Sequence, residues 1–488
     1  MSISSLPPEL YWSIIAQIPQ DSLQQSILSL TRALPYAPIP LQPLFQRIVI
    51  TRPEQALQLT RRLIKSDGDA VAHYVEQFSV RNEWTVDADV LVNLIRKLPK
   101  LRSLSLCIGT NFAPEHLATM FERHLADLEY LSLRFRPYVQ RATYQQFLSG
   151  SYFDSTLACL ARWPASFLPT LSIVQDPMDP AQAPTKAFAQ PLVFFRLDSH
   201  LADLAQSAYL SSLTSLKLCI PSRQVARCIA SSPISLPSLE LLDLSTCNVV
   251  GTEISDVLLL RLSSLKHLIL DGCAVLRGEY HPEDWAMLGK GCALVGVKRT
   301  KEREKKLRQA QLETAPVAPS ERRGKRGRRG LSTATISLRA SPPRESRVVG
   351  VVDTPTSNAM RKIRIYPASP ALCSLATTLP PSIPLDKHDE IQQQFAKGWY
   401  EGLAQLGEVR SRLFQSSRLG SKLMRFALIE DEEFTESEDG LDGLVEVTEW
   451  EDKVDIKAPV LCLVGPGKSE THEADCAHSV AWEVWKEV

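Results

Sequence analysis

The sequence predicts an α/β array of stacked strand–helix units, and three observations carry that expectation. A phrase of leucine, two variable residues and then leucine-x-leucine recurs along the chain: Leu239, Leu242 and Leu244 are answered by Leu265, Leu268 and Leu270, 26 positions later. A cysteine keeps the same phase, Cys247 being answered by Cys273. The third observation is length: 488 residues exceed one ordinary globular core, whereas a repeat array grows along a single axis. Earlier copies stand at Leu213/Leu216/Leu218 and, as a pair 27 apart, at Leu101/Leu104/Leu106 and Leu128/Leu131/Leu133.

Period, leucine phase and cysteine slot together resemble the cysteine-containing class of leucine-rich repeats. One such unit cannot bury its apolar face alone, so copies stack with parallel strands inside and helices outside. Side chains alternate along a strand, so the leucines point into the solenoid and the residues between them line its concave face. The expected target-binding residues of that lane are Tyr130, Arg134, Lys217, Leu241, Asp243, His267, Ile269 and Asp271. A tyrosine, charges of both signs and two aliphatics suit a protein or peptide surface better than a phosphate or metal site. Cys247 and Cys273 read as small buried groups at the turn that leaves each strand.

Taken in order, the chain opens on Leu6-Pro7-Pro8-Glu9-Leu10, followed by Ile14 and Ile18-Pro19. Leu10, Ile14 and Ile18 recur at helical spacing, the prolines suit a first turn, and Pro19 closes the helix. Residues 21–34 carry a second stripe, Leu23, Ile27 and Leu30, behind a possible cap at Asp21. A Leu44-Phe45 pair then leads into Arg47-Ile48-Val49-Ile50. This arrangement over residues 1–50 resembles the F-box, of the kind found in fungal F-box proteins, although Thr31 to Tyr36 stand where F-boxes commonly carry a tryptophan. The resemblance implies docking on a Skp-type adaptor of a cullin ubiquitin ligase, with Leu6, Pro7, Leu10, Ile14, Ile18, Pro19 and Leu23 as the contacting residues. On the residues alone, the same side chains could form the core of a cap over the first repeat.

Residues 51–297 form the expected solenoid. Strands are predicted over 45–51 and 75–81 and helices over 53–64 and 88–98, the last with Val90, Leu91, Leu94 and Ile95 inward. The spacing loosens between 133 and 213, where Leu168/Leu171/Ile173 and Leu192/Phe195/Leu197 keep the phase around insertions. Residues 298–360 are basic and then rich in proline and serine; the run from Lys298 to Arg308 extends a helix, and the remainder reads as a disordered linker. Its basic clusters resemble a nuclear localisation signal, while the want of interleaved aromatics gives no expectation of nucleic-acid binding. Residues 361–429 predict a strand near Ile363 and an amphipathic helix from Asp389, whose Gly398, Gly402 and Gly407 allow close packing. An acidic insertion over 430–456 and a last segment over 457–488, with a strand at 459–464 and Trp482 and Trp485 beyond it, complete a small α/β C-terminal cap.

The sequence departs from several motifs that carry chemistry. Gly465-Pro466-Gly467-Lys468-Ser469 lacks the first glycine of a phosphate-cradling loop, Cys462 standing in its place. His472-Glu473-Ala474-Asp475-Cys476 lacks the second histidine of a zinc-protease helix. Cys462, His472, Cys476 and His478 have the ligand types of a structural zinc site but not its paired-cysteine spacing, so the sequence assigns no metal and no cofactor. The 10 cysteines are too dispersed for a disulfide framework, and no apolar run is long enough to span a membrane. With no basic leader before Glu9, the expectation is a cytoplasmic or nuclear protein. The sequence thus points to a non-catalytic substrate-recognition subunit binding an adaptor with its cullin through the N-terminus and a protein target through the repeats. A leucine-rich scaffold with no ligase attached is the alternative.

Overall fold

A computed structural model of the chain describes residues 6–65, 68–81, 83–109, 111–136, 152–177, 193–273, 275, 281–314, 363–380, 383–426, 443–447, 456–467, 472–473 and 475–485. Eight strands follow one another along the first part: β1 (Arg47–Ile50), β2 (Gln77–Val80), β3 (Ser103–Ile108), β4 (Tyr130–Phe135), β5 (Thr170–Gln175), β6 (Ser215–Cys219), β7 (Leu241–Asp243) and β8 (His267–Ile269). Five more are β9 (Ile363–Ile365), β10 (Ser374–Ala376), β11 (Lys422–Phe426), β12 (Leu444–Glu446) and β13 (Val460–Cys462). The chain divides into two compact units, one of Met1–Gly296, Ser369–Leu406 and Val454–Val488, the other of Val297–Ala368 and Gly407–Lys453.

The first unit holds a 10-stranded sheet in the order β1 to β8, then β10 and β13. Every pairing in it is parallel, as stacked strand–helix units require. The register turns the repeat into a ladder: Leu104 pairs with Leu131, then Leu171, Leu216, Leu242, Leu268, Leu375 and Leu461 in succession. All of these leucines are buried in one continuous core. Each contributes roughly 1.5 to 3 kcal/mol relative to exposure, so stacking neighbours rather than isolated units hold the array together.

The helix Pro53–Ile64 begins as the sequence indicates, with Pro at its first turn and Gln55 Oε1 accepting from the backbone N–H of Arg52. The helix Ala88–Arg96 is capped by Asp87, whose carboxylate accepts from Val90 N–H, and it buries Leu91, Leu94 and Ile95. One expectation fails. Phe195 and Leu197 do not lie in a repeat strand: Phe195 is partly exposed and Leu197 opens the helix Leu197–Ala205, while Leu192 lies outside the described residues. Leu197 belongs to a helix face instead, buried there with Leu201, Leu204 and Ala205. In the C-terminal cap, β10 and β13 continue the sheet as its last two strands. They are degenerate copies of the same phrase, Leu372-x-x-Leu375-x-Thr377 and Ala458-x-x-Leu461-x-Leu463.

Within the second unit β11 pairs in parallel with β9 and antiparallel with β12. Strand β12 falls inside the segment expected to be an acidic insertion without structure, and Lys422 Nζ lies 3.5 Å from its Glu446. The basic run after Val297 continues the helix Val295–Thr314. From it Glu304 pairs with Arg364 at 2.9 Å and accepts from Ile365 N–H of β9. The basic cluster Arg322 to Gly330 and most of the acidic segment lie outside the described residues. Among the described residues no helix is long and apolar enough to cross a membrane.

Candidate interaction surfaces

The N-terminal helices Pro8–Ile15 and Gln20–Ala33 share a small core of their own, made of Tyr11, Ile15, Leu23, Ile27 and Ile39. Gln24 Nε2 donates to Arg47 O and Leu44 O, tying the second helix to the chain that enters β1. The face that packs inward is therefore the Tyr11/Ile15 face, one position round from the Leu10/Ile14 stripe read from spacing. A helix turns 100° per residue, so burying Tyr11 and Ile15 swings Leu10 and Ile14 toward solvent. They are 46% and 47% exposed.

The seven residues expected to meet an adaptor thus divide. Pro7, Leu10, Ile14 and Pro19 are exposed; Leu6 and Ile18 are half-buried against the small core. Leu23 is a correction: it is buried, because the second helix needs it to pack on the first. Trp12 and Leu28, which spacing did not single out, are also exposed apolar side chains of this module.

On the concave face the inter-leucine residues line up by register, Asp243 beside Ile269, Ala376 and Cys462, and Leu241 beside His267, Ser374 and Val460. At this end the face is not open. Leu241, Ile269, Ala376 and Cys462 form a second apolar cluster with Cys476, Ala477 and Ala481 of the C-terminal helix Ala477–Val484 and the turn before it. Asp271 is buried against His478 of that helix, so three of the eight residues expected to meet a target are covered by the chain's own C-terminus, and Asp243 is buried as well. Alternation along a strand says which way a side chain points, not what lies above it.

The buried carboxylates have internal partners. Asp243 pairs with Lys217 at 3.2 Å and accepts from Ser245 N–H, while Asp271 accepts from His478 Nε2 at 2.6 Å and from Thr378 Oγ1 at 2.8 Å. The Asp243 carboxylate holds the Lys217 ammonium above its usual range in spite of the burial that opposes it. Farther along, Tyr130 and Arg134 remain half-exposed; Arg134 pairs with Asp176 at 2.8 Å and lies over the Trp84 ring. His267 is half-buried, its Nδ1 2.8 Å from Ser374 Oγ, and burial lowers its pKa.

The repeat cysteines pack. Cys247 Sγ donates to Leu218 O and Cys273 Sγ to Leu244 O, each reaching back to the strand before its own. Burial pushes both thiols up to about 12, which leaves them protonated and unreactive at neutral pH. Cys462, His472, Cys476 and His478, which spacing gave no reason to join, are brought together beside Asp271.

No family model matches the chain, and no curated protein matches it by sequence. Among solved structures it is similar to a chain of the yeast complex titled "Crystal structure of Rad7 and Elc1 complex in yeast". That likeness has 12% identity and a TM-score of 0.21, and covers 56% of this chain and 88% of the other. At such distance it assigns neither partner nor activity.

Proposed function

We propose that the chain is a non-catalytic substrate-recognition subunit of a Skp/cullin/F-box type ubiquitin ligase. The observation that carries this reading is the exposed Leu10/Ile14 face on a module whose other side already forms a complete small core. A cap that served only the first repeat would turn its apolar residues toward that repeat. Here two aliphatic side chains a helical turn apart, with Pro7 and Pro19 exposed at either end, stand outward, which supports a partner-binding role for this face.

The mechanism is tethering. The N-terminal module holds the adaptor and through it the cullin, the open part of the concave face around Tyr130, Arg134 and Lys217 holds a protein target, and the raised effective concentration brings target lysines to a conjugating enzyme. Co-expression with a Skp-type adaptor and cullin tests it. The wild-type chain is expected to co-purify with both, and Leu10→Asp/Ile14→Asp to lose them while keeping its thermal unfolding midpoint within a few degrees, because both positions are exposed. A wild-type chain that captures neither protein would leave the leucine-rich scaffold without a ligase.

A further inference from the structure

The last two segments of the sheet end in a cluster that the tethering function does not use. Cys462 stands at the concave, inter-leucine position of β13, the final strand. Cys476 caps the N-terminus of the helix Ala477–Val484, its Sγ accepting from His478 N–H, and His472 lies in the turn before it. The ligand atoms of these residues lie within 4.8 Å of one another.

Their mutual distances are those of a coordination shell. His472 Nδ1 and His478 Nδ1 are each 3.4 Å from Cys462 Sγ, and they are 3.7 Å and 3.6 Å from Cys476 Sγ. A zinc ion holding sulfur at about 2.3 Å and nitrogen at about 2.05 Å in a tetrahedron separates the two by about 3.6 Å. The imidazoles are also presented the right way round. His478 Nε2 donates to the buried Asp271 carboxylate at 2.6 Å, which fixes the tautomer and leaves a lone pair on Nδ1 facing the sulfurs. Thr378 Oγ1 holds the other oxygen of that carboxylate. Trp482 packs edge-on against His472 and parallel to His478, walling the cluster.

We propose that Cys462, His472, Cys476 and His478 form a structural zinc site that clasps the C-terminal helix onto the end of the leucine-rich sheet. Two sulfur and two imidazole ligands in a tetrahedron suit zinc above the hard cations, and four protein ligands leave no open position for a substrate or water. Zn²⁺ displaces the two thiol protons to solvent, and its charge is balanced by the two thiolates, the imidazoles staying neutral. Asp271 acts through His478 as a positioning residue. It belongs to the turn after β8, so the clasp joins the repeat array to a segment about 200 residues later.

The test uses the full-length chain purified without chelators. Elemental analysis is expected to find one zinc per chain, lost in Cys462→Ser/Cys476→Ser. Replacement by cobalt(II) is expected to give sulfur-to-cobalt charge-transfer bands with the intense visible absorption of a tetrahedral site. Asp271→Asn is expected to keep those bands while weakening zinc affinity by about 10- to 100-fold in a chelator competition. Should the double-serine variant fail to fold, His472→Ala, at the least buried ligand, serves in its place, and the wild-type cobalt spectrum is independent of either. The proposal is overturned by a folded wild-type chain that takes up neither zinc nor cobalt, by zinc that persists undiminished in the ligand variants Cys462→Ser/Cys476→Ser or His472→Ala, or by an intact mass showing a Cys462–Cys476 disulfide.

Discussion

Cys247 and Cys273 illustrate how one residue type can serve packing in one place and ligation in another. In the ladder each thiol is surrounded by aliphatic side chains and finds a backbone carbonyl of the preceding repeat, so it stays protonated. The consequence is a stability that depends on alkaline pH. Burial raises both thiols to about 12, whereas in the unfolded chain they ionise near about 8.5. Between those values the unfolded state binds fewer protons, so the stabilisation is complete below about pH 8.5 and is lost as pH rises toward 12, by up to about 1.4 kcal/mol per pH unit for each thiol. Denaturant unfolding between pH 8 and 10.5 is expected to show this decline. In Cys247→Ala/Cys273→Ala the decline should be shallower, from a baseline already lowered by about 1 to 2 kcal/mol per site through lost sulfur contacts and hydrogen bonds. An equal slope in both proteins would mean that other groups set the pH dependence.

At the scale of elements, what was legible is what repeats. The leucine phase located β3 to β8 because each strand needs the same two inward residues, and the helix boundaries near residues 53 and 88 followed from prolines, caps and stripes. What was not legible arises from departures in phase. Thr377 and Ala458 stand where the repeat wants leucine, and long insertions separate β8, β10 and β13, so the last two strands read as a cap instead of as repeats. The Cys/His set was legible in its ligand types but not in its assembly, since Cys462 comes from a strand lane, His472 and Cys476 from the segment before the last helix and His478 from that helix, and only the stacking brings them together. Helix glycines give a sharper contrast. A Cβ on Gly398 would sit 1.9 Å from Ala286 O of the helix Pro282–Ala293, and one on Gly289 would meet Phe395 O at 2.2 Å, whereas at Gly407 it would meet nothing within 4 Å. Gly398→Ala must therefore push two backbones apart and is expected to destabilise by about 1 to 3 kcal/mol or more. Gly407→Ala, in the same helix His388–Arg418, is expected to stabilise by about 0.5 to 1 kcal/mol through helix propensity. Thermal unfolding of the two variants reads the opposite signs directly.

For the whole molecule, the order of strands means that the first compact unit is assembled from distant parts of the chain. Strand β10 supplies backbone hydrogen bonds to β8, and Leu375 and Leu461 complete the leucine ladder beyond Leu268. Leu372, Leu463, Phe395 and Trp399 lie in the same continuous core as the earlier repeats. In a repeat array the last unit always has an apolar flank to cover, and here residues 369–406 and 454–488 cover it. Covalent continuity between residues 314 and 363 should therefore be dispensable once the chain has folded. A specific protease site placed between those positions and cut in the native protein is expected to give two fragments that co-elute at the mass of the intact chain and separate only in denaturant. Fragments expressed apart should behave differently, the N-terminal one aggregating because the edge of β8 and the apolar surface beneath Leu268 and Leu270 are left uncovered. Fragments that part after cutting under native conditions would show that the C-terminal strands add little to the fold; co-elution would show that the last two strands hold the end of the sheet without the chain that links them to it.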